Sequence, residues 1–397
     1  MSLTAKIRSK ACDLGFTAIG FAPADPLEGA QFYARWLALG YAGEMHYLEK
    51  YLDKRQDPRQ LVPGARTAIC LGMDYYQPTP AKPDPLHGQI ACYARGDDYH
   101  ELIKKRLAAL WEFILQTAGE QTKGRYFVDT APVLERELAQ RAGLGWWGKN
   151  TCLIDKRRGS YFFLAEIITD LQLAYDEPAP DHCGTCTLCL DACPTDAFPE
   201  PYVLDATRCI SYLNIELKTP IPRDLRPGMG NWIFGCDICQ QVCPWNRKAD
   251  PAPEPGYKTR PGLDNPSLLD LIQLDRNAFN KLFRRNPAKR PKRKGFLRNV
   301  AIALGNSGAK EAIPVLIKAL DDEEPLVRGH VAWALGQLGG DKAREAIVNR
   351  LDFEEDSEVI VELEAALTIL YPQQHSSVYR GPLWGCDGGC FWVEPGE

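Results

Sequence analysis

The sequence predicts a chain in three parts: an α/β domain over residues 1–175, a module of the two-cluster bacterial ferredoxin type over 176–250, and an α-helical domain of HEAT-like repeats over 251–375, with a tail over 376–397. Three observations carry this prediction. Helical and strand patterns alternate up to about residue 175. Eight cysteines crowd between Cys183 and Cys243. Beyond residue 300 an apolar pattern repeats, VAIALG at 300–305 returning as VAWALG at 331–336.

In the first part, Leu3, Ile7 and Leu14 share a helical face and Gly15 supplies the stop. TAIGF (17–21) reads as a strand, as does TAICLGM (67–73) after the Pro63-Gly64 turn. Tyr99, Leu102, Ile103, Leu107, Leu110, Trp111 and Ile114 keep helical spacing up to Gly119. YFVD (126–129) predicts a strand, then a helix from about Ala131 to Ala142 stopped by Gly143, then a buried strand in SYFFLAEIIT (160–169).

Proline-rich punctuation, EPAPDH (177–182) and DPAPEPG (250–256), brackets the second part. In the third, AIPVLIKALDDEEP (312–325) aligns with AREAIVNRLDFEED (343–356), and VIVELEAALT (359–368) is a weaker third copy. Helical pairs at a fixed period predict a small solenoid in which each unit buries its face on the next.

The chain has 397 residues, 45% of them hydrophobic and 25% charged, which suits a soluble protein of two or three domains. A net charge of −5 argues against a protein that coats nucleic acid with its whole surface. No run of about 18 apolar residues predicts a membrane span. The N-terminus lacks a signal-peptide core, and 14 cysteines without one point to a reducing, cytoplasmic setting in which thiols bind metal or lie buried.

Cys183, Cys186, Cys189 and Cys193-Pro194 have the spacing of the bacterial ferredoxin run, whose fourth cysteine serves the other cluster. The second group, Cys236, Cys239 and Cys243-Pro244, is one short, and Cys209 can complete it. Exchanging the proline-linked cysteines gives Cys183, Cys186, Cys189 and Cys243 to one four-iron cluster and Cys193, Cys209, Cys236 and Cys239 to the other. Soft thiolates without interleaved histidine suit iron–sulfur better than zinc. His182 reads as a flanking surface residue. Cys386 and Cys390 in the tail are too few to coordinate a metal by themselves.

Two clusters relay single electrons, and something must use them. No GxGxxG, P-loop, HExxH or catalytic triad appears. The segment VDTAPVLERELAQRAGLGWWGKNTCLI (128–154), the cluster run, Cys209-Ile-Ser-Tyr, GCDICQQVCPWN (235–246) and the terminal repeats, together with YARGDDYH (93–100), resemble the epoxyqueuosine reductases in order through nearly the whole chain. The resemblance implies cobalamin in the N-terminal domain beside two [4Fe-4S] clusters. It implies reduction of the epoxide of epoxyqueuosine, at the wobble position of tRNA, to the alkene of queuosine, with an external electron donor. Cobalamin proteins that supply a lower histidine use D-x-H-x-x-G, whereas Asp98-Tyr99-His100 is followed by Ile103 at the glycine position, so cobalt is expected without a histidine ligand.

Asp129 ends a predicted strand. From the residues alone it serves equally as a helix N-cap or as an acid, and the resemblance implies the proton donor, its carboxyl raised by the shielding cofactor and substrate. Gly143, Gly145 and Gly148 read as a helix stop with core tryptophans, or as a loop on the corrin edge with Lys149 and Asn150 on its substituents; the resemblance favours the loop. Cys92, Ser211 and Lys218 fall in segments that match cofactor-facing ones.

Nine basic residues, Lys281, Arg284, Arg285, Lys289, Arg290, Lys292, Arg293, Lys294 and Arg298, lie in a stretch with no Asp or Glu. With Arg328 on the next repeat they are candidates for phosphates of the tRNA anticodon stem-loop. The whole reads as a monomeric cytoplasmic oxidoreductase. The alternatives are a cobalamin and iron–sulfur reductase of a small molecule, dehalogenase-like, and a plain electron carrier.

Overall fold

Residues 1–78 and 84–371 are described by the computed structural model. Helix α1 (Leu3–Asp13) starts at Ser2, whose hydroxyl accepts the Ala5 N–H, and is followed by strand β1 (Ala18–Pro23). Helices α2 (Gly29–Ala38) and α3 (Leu52–Gln56) lead to β2 (Thr67–Asp74), the short β3 (Gln89–Ile90) and the long α4 (Tyr99–Ala118). Then come β4 (Gly124–Phe127), α5 (Glu135–Arg141), the small antiparallel pair β5 (Trp146–Trp147) and β6 (Leu153–Ile154), and β7 (Phe162–Thr169).

The expected helices and strands are present, and the four-stranded sheet runs β1-β2-β7-β4 with every neighbour antiparallel. Alternation along β2 and β7 divides the core into two layers. Ile69, Leu71, Ala165 and Ile167 face α1 and α4 through Ile7, Ala11, Ile103, Leu107 and Leu110. Ala68, Cys70, Phe162 and Ile168 face α5 through Leu138 and Ala139. Helix α5 starts four residues later than the sequence predicts. Pro132 disfavours helical geometry at Ala131, so the chain from Val128 to Leu134 forms a loop instead. Asp129 is therefore not the cap of this helix; Leu134 occupies that position.

The cysteine region contributes α6 (Leu188–Asp191), α7 (Ile210–Ile215), β8 (Trp232–Phe234) and α8 (Ile238–Gln241). Strand β8 pairs in parallel with β3. After α9 (Leu268–Leu271) and α10 (Arg276–Leu282) the repeats follow: α11 (Lys292–Asn306), α12 (Ile313–Ala319), α13 (Pro325–Leu338), α14 (Asp341–Leu351) and α15 (Ser357–Leu370). The repeated motif ends in a glycine that lets one helix lie on the next. A Cβ on Gly305 would stand 2.9 Å from the Ala334 Cα, and one on Gly336 would stand 3.0 Å from the Ala366 Cα.

The repeats share a core with the cysteine region, and this explains two basic residues. Arg298 is fully buried. Its guanidinium donates to the carbonyls of Leu213 (2.6 Å), Leu217 and Thr219 (both 2.9 Å), closing the loop after α7. Arg328 is buried against Glu354, 2.6 Å away. Both are corrections to the expected phosphate contacts, because their donors are already satisfied inside the protein. Arg293 is half-buried and paired with Asp322 at 2.5 Å. Lys281, Arg284, Arg285, Lys289, Arg290 and Lys292 are exposed, and Lys294 is half-exposed. Among the described residues no helix is long and apolar enough to cross a membrane. Cys386 and Cys390 lie outside the described residues.

Candidate active site

The eight cysteines stand in two neighbourhoods of four. Burial, with Cys243, Cys183 and Cys186 as charged neighbours, pushes the Cys189 thiol up to about 11. Cys236, raised by burial, has Cys209 and Cys193 beside it, and Cys239 has Cys236 and Cys209. These neighbours are compatible with the exchange of Cys193 and Cys243 expected from the spacing. Backbone N–H groups already point at the sulfurs: Ala197 N–H at Cys193 Sγ (3.4 Å), Ser211 and Tyr212 at Cys209, Ile238 at Cys236, Trp245 at Cys243. Such donors stabilise the charge that thiolates of a cluster carry, so the residues fit two iron–sulfur clusters. No three His, Cys, Asp or Glu side chains among the described residues converge on a single-ion position. A ninth free thiol, Cys152, shares a hydrogen bond with Cys239, a neighbour that the spacing does not reveal.

The glycine-rich loop lies on this module. The Trp146 indole donates to Cys183 Sγ at 3.5 Å and packs edge-on to Trp245. Lys149 Nζ donates to the carbonyls of Gly184 (2.7 Å) and Cys186 (3.0 Å). Asn150, 3% exposed, donates to the Cys239 carbonyl at 3.3 Å and accepts the Cys152 N–H. Lys149 and Asn150 thus brace the cluster loops. Gly145 permits the close approach, since a Cβ there would collide with the Ile154 carbonyl oxygen. His182 is exposed, as expected.

Cys92, another candidate cofactor contact, is tied to the cysteine module. It is buried, its N–H donates to Asp237 at 2.7 Å, its sulfur accepts the Gln77 N–H, and burial pushes its thiol up to about 12. Ser211 is half-buried, with its backbone turned to Cys209. Lys218 is exposed; its Nζ donates to the Ile215 carbonyl, and its charged neighbours are Glu216 and Arg290.

Asp129 sits in the loop between β4 and α5, with its backbone at φ 57 and 52% of its side-chain surface open. Its Oδ2 accepts from the Tyr99 hydroxyl (2.8 Å) and faces His100 Nε2 (3.0 Å), both from the first turn of α4. The other ring nitrogen of His100 faces Asp98 Oδ1 at 2.8 Å, and Asp98 also caps α4. Burial alone would raise the Asp129 carboxyl, but the His100 and Tyr99 hydrogen bonds outweigh it and hold the group below the ordinary carboxylate range. This departs from the raised carboxyl expected for a shielded acid. Burial likewise opposes the charge on His100, and its two carboxylate partners overcome that and carry it up to about 9. At neutral pH the proton of this group therefore rests on His100. The sequence shows Tyr99 at helical spacing and His100 in an incomplete D-x-H-x-x-G match, and nothing in their spacing ties them to Asp129.

The open side of Asp129 is bounded by Tyr47 and Arg290, whose guanidinium lies 5.9 Å from the Tyr47 ring centroid and 2.5 Å from Glu216. Both residues are charged or polar neighbours of Asp129. Half-buried Tyr93 has both Asp129 and Asp237, the latter next to Cys236, as charged neighbours. Lys218, Glu216 and Arg290 are charged neighbours of one another on the surface near Asp129.

Three family models match the chain: Epoxyqueuosine reductase QueG, DUF1730, over residues 55–130; a 4Fe-4S double cluster binding domain over 182–246; and HEAT repeats over 293–368. The epoxyqueuosine reductase of Xanthomonas campestris pv. campestris is 45% identical over 341 residues, covering 84% of this chain and 96% of that protein. That of Escherichia coli K12 is 40% identical over 339 residues, covering 84% and 89%. Among solved structures, an epoxyqueuosine reductase from Bacillus subtilis, with its catalytic aspartate loop swung out of the active site, superposes with a TM-score of 0.87 at 31% identity, covering 93% of this chain and 99% of that one. An epoxyqueuosine reductase with a tRNA-Tyr stem loop modified with epoxyqueuosine gives 0.86 at 31% identity, covering 93% and 98%. With two clusters' worth of thiols beside a carboxylate–imidazole pair, and relatives this similar over most of its length, the chain belongs to the epoxyqueuosine reductase family and is an oxidoreductase.

Proposed function

We propose that this protein reduces epoxyqueuosine to queuosine at the wobble position of tRNA, acting as a monomer in the cytoplasm, with electrons passing from two [4Fe-4S] clusters to cobalamin. The observation that carries the RNA reading is Arg290. It belongs to the exposed basic run and is at the same time a charged neighbour of Asp129, so phosphate-binding surface and acid meet at one residue. A relative's complex with an epoxyqueuosine-modified tRNA stem loop supports the same substrate.

The reaction removes the epoxide oxygen as water and leaves an alkene, consuming two electrons and two protons. Cobalamin, when bound, supplies a metal-centred reductant that accepts single electrons and delivers them in a pair. Lys218, Ser211 and Cys92 would hold it. Both ring nitrogens of His100 are engaged by carboxylates, so His100 would serve the proton relay rather than ligate a metal. Asp129 presents Oδ1 to the substrate while Oδ2 faces His100. As negative charge develops on the epoxide oxygen, Asp129 delivers a proton to it and takes one from His100 Nε2, with Asp98 stabilising the ring throughout. Tyr99 fixes the carboxylate's orientation. The exposed Lys281, Arg284, Arg285, Lys289, Lys292 and Lys294 bind the phosphates of the anticodon stem-loop.

The test is a count of iron, sulfide and cobalt on anaerobically purified protein, joined to turnover of epoxyqueuosine-containing tRNA with a low-potential one-electron donor. The reading expects about eight iron and eight sulfide and a single corrinoid per chain, with queuosine formed. Iron without corrinoid would mark an electron carrier, and turnover of a halogenated small molecule in place of tRNA would mark a dehalogenase-like enzyme. Asp129→Asn should keep clusters and RNA affinity and lose ~10²–10⁴-fold in kcat; full activity would remove the acid from its role.

A further inference from the structure

Asp237 stands between the cluster cysteines Cys236 and Cys239, at the residue from which α8 starts. An aspartate in that place ordinarily caps its helix by accepting an N–H of the first turn. Asp237 makes no such bond. Its Oδ2 instead accepts the backbone N–H of Cys92, 145 residues earlier in the chain, at 2.7 Å. The residue is buried, 3% exposed. Cys92 opens the short turn Cys92–Ala94, and its sulfur accepts the Gln77 N–H at 3.1 Å, so both its backbone and its side chain are fixed. Arg95, also buried and donating from Nε to the Ile90 carbonyl at 2.8 Å, is a charged neighbour of Asp237. A buried carboxyl that accepts an N–H with a guanidinium beside it is favoured in its ionised form.

We propose that Asp237 is a positioning residue for electron delivery: its carboxylate sets a fixed negative charge in the ligand loop of the cluster bound by Cys236 and Cys239, holding that cluster at low potential, and the same carboxylate ties the loop to the Cys92 turn. Reduction adds an electron to a cluster, so a negative charge close to its ligands opposes reduction and makes the reduced cluster a stronger donor. Little water screens the charge, because Cys92, Arg95 and Tyr75 around it are buried as well. The tie matters because Cys92 is among the residues that would hold the electron acceptor. One side chain thus carries two roles, and substitution separates them. Asparagine keeps an oxygen for the Cys92 N–H and loses the charge; alanine loses both. The proposal rests on Cys236 and Cys239 binding a cluster, as the match to the double cluster binding domain supports.

The experiment is a dye-mediated redox titration of anaerobic, cluster-loaded protein, followed by the electron paramagnetic resonance of the reduced clusters, with iron counted in each variant. In D237N one of the two reduction steps should move to higher potential, by about tenfold in the reduction equilibrium constant (~59 mV for one electron), with the iron count unchanged. In D237A the same step should move, and the Cys92 amide should lose protection from hydrogen exchange by about tenfold or more, whereas D237N keeps that protection. Unmoved potentials in D237N overturn the proposal, and so does a Cys92 amide that stays protected in D237A. If D237A does not fold, the potentials of D237N decide, since that variant keeps the acceptor oxygen. Wild-type protein that takes up no iron would overturn the cluster reading itself, whereas full iron with unmoved potentials removes Asp237 alone. Neither readout depends on turnover of RNA.

Discussion

In the proposed reaction Asp129 and His100 divide the work of one acid. The carboxylate would meet the substrate, while the imidazole keeps the proton. His100 has a folded-state pKa raised to about 9 from 6.5, so its ion pair with Asp129 is fully formed below the unfolded value and disappears as pH rises through the folded one. We expect kcat to fall on the alkaline side near pH 9. His100→Gln should lower kcat by ~10²-fold and abolish that limb, measured as single-turnover rates against pH. An unchanged limb in the variant would assign it to another group. The sequence made Asp129 legible because its own segment matched; it did not reveal the partners, since His100 stands 29 residues earlier and only the fold brings the two together. Lys149 and Asn150 leave the sequence reading open. A glycine-flanked polar pair signals close approach to something, and the same pattern serves a cluster loop as well as a cofactor.

Elements whose neighbours are close in sequence were the easiest to foresee. The helical repeats depend on packing between adjacent units, so the return of VAIALG as VAWALG reports both the helices and their stacking. Gly305 and Gly336 close each match because a helix backbone passes over them. Gly336→Val should therefore cost about 1–3 kcal/mol through overpacking, read as a lower Tm with the cluster absorbance unchanged at low temperature. A variant as stable as the parent would show that α15 yields without strain. Strand direction was less legible. The run TAICLGM is apolar throughout because α1 and α4 cover one face and α5 the other, and that pattern is silent on whether neighbours run parallel or antiparallel. The late start of α5 depends on a single residue, Pro132, against a longer helical pattern.

Over the whole molecule, charge is sorted between structure and surface. Of the ten basic residues that the sequence offered to RNA, Arg298 and Arg328 are structural, and burial separates them from the exposed set. Replacing Lys281, Arg284, Lys289 and Lys292 with alanine should weaken binding of an anticodon stem-loop and flatten its salt dependence, by roughly 0.7–0.9 in log–log slope for each phosphate no longer neutralised. Arg298→Ala should lower Tm and leave that slope unchanged. A slope that moves with Arg298 and stays fixed for the surface set would overturn this division. The two-residue ribbon of β3 and β8 reaches further than its size suggests. It stitches a segment before the catalytic loop to one between Cys209 and Cys236. Asn286 adds a second stitch, donating to the Ala94 and Gly96 carbonyls at 2.7 and 2.6 Å. The three parts read from the sequence are therefore sewn together rather than strung in a row. A gene cut near residue 175 would leave β3 without its partner, and oxygen damage that unravels the cysteine module would loosen the catalytic face at the same time, so a protein that has lost its wiring would also lose its grip on substrate.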